Sequence, residues 1–133
     1  MLVSLTAVER YWRRLGFTPG VIDSMQLWAL QRDHARQAAP RPLVFLGASR
    51  TLFGIDMLTV RAMLPGWQPV MLALNGRYPL AALRDLADDD AFRGTVVLDI
   101  DSRGLARYNH AAQAEYVDYY HGQWSPSWRW HRQ

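Results

Sequence analysis

At 133 residues, half of them hydrophobic and a fifth charged, the chain has room for one core rather than two. It contains no cysteine and no lysine, which excludes disulfides, thiol catalysis, cysteine-based zinc sites, a P-loop lysine and Schiff-base chemistry. The formal charge of +3 rests on arginines scattered from Arg10 to Arg132, mostly beside acids, and not on the one-sided cluster that nucleic-acid binding demands.

The opening Met1–Val8 is apolar but far shorter than a membrane span, and it lacks the basic start and cleavage site of an export signal. A first helix is expected to stop near Gly16, with a turn at Pro19-Gly20. A second is expected from Asp23, with Gln26 in capping-box spacing, carrying Leu27, Trp28 and Leu30 and fading by Gln37. Ala38-Ala39-Pro40-Arg41-Pro42 reads as a linker, which divides the chain into a helical lead-in, 1–42, and an α/β part, 43–133.

Beyond the linker the pattern changes. Leu43–Leu46 is a continuous apolar run ending at Gly47, the signature of a strand buried on both faces. Asp56 is placed to cap a helix through Leu64, which Pro65-Gly66 ends. Pro69–Leu74 is the second strand, Pro79 opens a helix with a Leu80, Leu83, Leu86 stripe, and Thr95–Ile100 is the third strand. This alternation argues for a parallel sheet joined by right-handed crossovers. Loops at the carboxyl ends of such strands carry function, which selects Gly47–Thr51, Asn75-Gly76-Arg77 and Asp101-Ser102-Arg103.

Ser49 is the most informative of these positions. It follows a strand-ending glycine by two residues, where its hydroxyl can meet a substrate and nearby amides can stabilise an oxyanion. The equally weighted alternative is a serine that only helps to turn the chain. Thr51 stands where a nucleophile elbow needs glycine, and Ser49 stands where a dinucleotide fingerprint needs one.

The run Leu43-Val44-Phe45-Leu46-Gly47-Ala48-Ser49-Arg50-Thr51 resembles the first block of the SGNH/GDSL hydrolases, and Asn75-Gly76 is similar to their second. The likeness extends from about Leu43 to Ile100, with a looser match upstream through Trp12–Phe17 and Asp23–Arg32 to the juxtamembrane lead-in of bacterial envelope relatives. The resemblance implies part of a flavodoxin-like, three-layer α/β/α SGNH fold, with strand order 2-1-3 at its front. It implies Ser49 as nucleophile, an oxyanion hole from the amides of Ser49 and Gly76 with Asn75 alongside, and a small-molecule or glycan ester as substrate. It further implies a periplasmic or membrane-tethered setting, although the chain shows no export signal.

Departures from the family pattern are equally specific. Ala48 replaces the usual aspartate, and the third block reads Asp99-Ile100-Asp101-Ser102 in place of an asparagine donor. Ionised Asp101 would oppose an oxyanion. Asp118-Tyr119-Tyr120-His121 matches the Asp-x-x-His of the final block literally, yet it follows the third strand too soon and lies in a helix that would carry it away from Ser49. Arg50 is a candidate for binding an anionic substrate group, with pairing to a carboxylate as the alternative. No histidine has partners at metal-ligand spacing and Asp88-Asp89-Asp90 lacks calcium-loop spacing, so neither metal nor cofactor is expected. The expectation is therefore an SGNH-type esterase or O-acyl transferase part without activity by itself. The rivals are a non-catalytic α/β interaction module or degenerate remnant, and a small-ligand binder at the sheet's switch point. The third strand, unguarded at the sheet edge, and the aromatic tail at Tyr119, Tyr120, Trp124, Trp128 and Trp130 predict self-association.

Overall fold

A computed structural model describes residues 24–36 and 40–125. The expected first helix, the Pro19-Gly20 turn, and Trp128, Trp130 and His131 lie outside them. The elements in order are α1 (Met25–His34), β1 (Arg41–Leu46), α2 (Ser49–Gly54), α3 (Met57–Met63), β2 (Trp67–Met71), α4 (Leu80–Ala87), β3 (Thr95–Leu98), a 3₁₀ turn (Arg107–Asn109) and α5 (Ala114–Gly122).

The three strands form one parallel sheet in the order β2-β1-β3. The register sets Val44 beside Val70 and Val96, and Phe45 beside Met71 and Val97. Because side chains alternate across a strand, the first trio and the second lie on opposite faces. On the first face Val44, Leu46, Val70 and Leu72 are fully buried in one cluster with Trp28 and Ala29 of α1, Ala82 and Leu86 of α4, and Tyr116 and Tyr120 of α5. This is the α/β class, with a short open sheet. No helix among the described residues is long and apolar enough to cross a membrane.

Several boundaries differ from the sequence reading. The α1 cap is Ser24, whose hydroxyl accepts from the Leu27 amide at 3.2 Å, and the helix runs from Met25; the expected start at Asp23 lies outside the described residues. Its buried stripe is Trp28, Ala29 and Arg32, and Leu27 and Leu30 are only half-buried. A short helix, α2, starts directly at Ser49, before the expected one. That one is α3, capped by Asp56 as its sequence suggests. β2 starts two residues early and ends at Met71, although the Leu72 and Leu74 amides still donate to the Phe45 and Gly47 carbonyls. β3 stops at Leu98, two residues short of Ile100, with the Asp99 amide donating to the Leu46 carbonyl as the last rung.

The aromatic residues of the described tail are also better covered than expected. Tyr116 and Tyr120 are buried, and Tyr119 and Trp124 pack against the same cluster. α5 reaches them because it lies on α1, where Trp28 meets the Tyr116 ring edge-on at a centroid distance of 6.0 Å. The Trp28 indole donates to the Leu72 carbonyl at 3.1 Å, tying α1 to the sheet.

Candidate functional site

At the carboxyl edge of the sheet a cavity of about 260 Å³ is lined by Ser49, Arg50, Gly76, Tyr78, Asp99, Asp101 and Arg103, among others. They arrive from the ends of all three strands, as the alternating pattern requires. β1 ends at Leu46, and Gly47-Ala48 turns the chain so that Ser49 becomes the first residue of α2, half-buried. Gly47 is required there by close approach: a Cβ would overlap the Thr51 side chain and stand 3.4 Å from the Asp99 Cβ. Glycine thus lets the first turn of α2 settle against the end of β3.

Gly76 comes from the loop after β2. It has φ +68°, a conformation that costs L-residues roughly 1–2 kcal/mol, and a backbone bridge between Leu74 and Arg77 closes the turn around it. The loop is held from below by Arg77. Its guanidinium donates to the Ala112 carbonyl at 3.0 Å, pairs with Glu115 at 2.6 Å and lies over the Tyr116 ring. Buried Gln113 returns a bond to the Arg77 carbonyl at 3.3 Å. Asn75, next to Gly76, is exposed.

The charges in the cavity are internally matched. Arg50 pairs with Asp99 at 2.7 Å, and the other Asp99 oxygen accepts from the Thr51 hydroxyl at 3.2 Å. Arg50 is mostly exposed, so the pair is a modest surface interaction. Asp101 accepts from the Gly104 amide at 3.0 Å, from Arg103 at 3.2 Å and from the Tyr78 hydroxyl. The Gly104 amide above all, with Tyr78 and Arg103, holds the Asp101 carboxyl below its usual range. Desolvation, reinforced by Asp101, pushes the Tyr78 phenol up. Asp101 is therefore anionic at neutral pH and a weak base, and Tyr78 stays protonated. Among the described residues no histidine lines this cavity.

Asp118 and His121 line a different and larger cleft, of about 1030 Å³, between α4 and α5. The carboxylate that meets the His121 imidazole is Asp85 of α4, at 2.5 Å, and Asp118 is exposed. His121 thereby joins a cluster centred on Arg32, a residue the sequence reading did not single out. Arg32 is fully buried, binds Asp85 at 2.5 Å and Asp89 at 2.9 Å, and stacks 5.1 Å from the Tyr120 ring centroid. Spacing conceals this cluster, because its members are more than 50 residues apart across α1 and α4. Among the described residues no group of three or more potential ligands is arranged to hold a metal ion.

The structure thus brings Ser49, Arg50 and Gly76 to one cavity and leaves Asp118 and His121 in another. Comparison of the chain with protein-family models, curated proteins and solved structures finds no match in any of the three.

Proposed function

We propose that this chain is the N-terminal part of an SGNH-type serine esterase or O-acyl transferase, with Ser49 as the nucleophile. One observation carries the reading: Ser49, at the carboxyl end of the first parallel strand, shares a cavity with Gly76, whose left-handed backbone opens the loop after the second. A serine and a left-handed backbone turn that line one small cavity suit attack on an ester carbonyl, the amides of Ser49 and Gly76 receiving the developing negative charge. The substrate class is an ester-linked acyl group on a small molecule or glycan, and the setting is outside the cytoplasm, both resting on the motif likeness. Activation of Ser49 would need an imidazole, which none of the described residues brings to the cavity. General-base assistance is worth roughly 10²–10⁴-fold, so the chain alone should hydrolyse esters negligibly.

The test uses a ligand that needs no turnover. Phenylboronic acid forms a reversible adduct with an accessible serine hydroxyl and mimics the tetrahedral intermediate. Its boron-11 resonance should shift to the tetrahedral range with the wild-type chain, lose that shift with Ser49→Ala, and weaken with Gly76→Ala. Hydrolysis of p-nitrophenyl acetate should match Ser49→Ala throughout. Equal boronate binding by wild type and Ser49→Ala would overturn the assignment. A second reading, a non-catalytic α/β interaction module, is favoured by Asp99 and Asp101, whose carboxylates stand on the wall where an oxyanion would develop. It predicts no boronate adduct at all.

A further inference from the structure

The turn that carries Gly76 is anchored by residues well beyond Ile100. Arg77 closes it, its amide donating to the Leu74 carbonyl at 3.3 Å, and the same residue is clasped by the start of α5. The clasp runs both ways. The Arg77 guanidinium donates to the Ala112 carbonyl at 3.0 Å, and the Gln113 side-chain amide donates to the Arg77 carbonyl at 3.3 Å. Glu115, in the first turn of α5, pairs with the guanidinium at 2.6 Å, and the Tyr116 ring supports its plane.

Packing alone does not account for Gln113. It is fully buried, yet its Oε1 has no partner among the described residues. A leucine of similar size would spare the chain that desolvation cost, so the amide lowers stability and makes one bond. That bond fixes the carbonyl of the residue after Gly76, and an oxyanion donor must be aimed before substrate arrives. We propose that Gln113 and Arg77 are positioning residues that aim the Gly76 amide into the Ser49 cavity, making the start of α5 part of the site. Its catalytic meaning rests on Ser49 being the nucleophile; the aim of the turn rests on the clasp alone.

Two readouts separate the clasp from the chemistry. The amide resonance of Gly76 reports the turn without any ligand, and the affinity for phenylboronic acid reports the oxyanion site. Gln113→Leu should melt close to the wild type, yet shift the Gly76 resonance, speed its hydrogen exchange and weaken boronate binding roughly tenfold. Arg77→Met should do the same at a lower melting temperature. Arg77→Lys, which keeps a cation beside Glu115 and a donor for Ala112, should restore most of the affinity. Asp56→Ala, outside the cavity, should lower the melting temperature and leave both readouts unmoved, so lost stability alone does not mimic the effect. If far-UV circular dichroism shows that Gln113→Leu does not fold, the two Arg77 variants decide. An unmoved Gly76 resonance and unchanged boronate affinity in Gln113→Leu and Arg77→Met would overturn the proposal. A wild-type chain that forms no boronate adduct would sink the nucleophile reading instead. The Gly76 resonance then judges the clasp by itself: a shift in Arg77→Met upholds it, and no shift overturns it.

Discussion

Arg32 illustrates how one residue can hold three helices. It rises from α1 without solvent exposure, its Nε and one Nη shared between Asp85 and Asp89 of the α4 region and its plane over Tyr120 of α5. Arg36 adds a second cation to Asp89 at 3.2 Å, and His121 takes the remaining Asp85 oxygen. Burial pushes the Asp89 carboxyl up, but hydrogen bonds from Arg32 and the Ala91 amide, with the charges of Arg32 and Arg36, hold it below its usual range. Arg32→Ala should cost about 3–5 kcal/mol in urea unfolding, because it strands two nearly buried carboxylates. Arg32→Met should behave similarly, and a second substitution, Asp85→Leu, should recover part of the loss. His34, on the same helix, is held below its ordinary 6.5, first by burial and then by the charge of Arg61. The unfolded chain then binds the proton more readily, so His34 contributes stability above pH 6.5 that is lost as pH falls through its lowered value. His34→Gln should flatten that segment of a stability-versus-pH curve. An unchanged slope would assign it to another group.

Elements here are set by their ends more than by their length. α3 has seven residues and no buried side chain, and its start is held by Asp56, which accepts from the Leu58 amide at 3.0 Å and the Thr59 hydroxyl at 2.5 Å. Asp56→Ala should cost about 1 kcal/mol, read as a lower melting temperature. The junction between β1 and α2 is set by space. A methyl at position 47 meets the Cβ of Thr51, which rotation of the hydroxyl does not relieve, so α2 must shift away from β3. Gly47→Ala should cost about 1–3 kcal/mol by overpacking. It should also release the Thr51 hydroxyl from Asp99 and enlarge the Ser49 cavity, visible as altered amide chemical shifts at Ser49, Arg50 and Asp99. A variant as stable as wild type with unmoved shifts would show that the junction has slack.

For the molecule as a whole, acid should be the effective denaturant. Asp56, Asp89 and Asp101 all titrate below their ordinary 3.8: Asp56 chiefly through the Thr59 hydroxyl, Asp89 through Arg32 against the cost of burial, and Asp101 through the Gly104 amide. Carboxyls depressed in the folded state contribute stability that is present above the unfolded value and lost as pH falls through the folded one. Unfolding free energy should therefore drop steeply below about pH 4, beyond the smaller decline due to His34. Arg32→Met should shift the acid midpoint upward.

The periodicity of the chain by itself determined the parallel β-α-β-α-β order, the cap at Asp56, a helix opening within one residue of Pro79, and the Gly47-x-Ser49 corner, because buried strands and helix starts leave local signatures. It also placed Ser49 and Gly76 at the same sheet edge, since parallel strands deliver their following loops to one side. It misjudged strand ends by two or three residues, where the ladder outlasts or falls short of the apolar run, and it passed over α2, which has only one buried residue to mark it. The partners of charge were beyond its reach. Arg32 reads as one more polar residue on a helix, and Asp118 reads as the natural companion of His121. Only the packing of α1, α4 and α5 buries that arginine and turns His121 to Asp85, because electrostatic partnership depends on distance and solvent exclusion, and neither is encoded in local spacing.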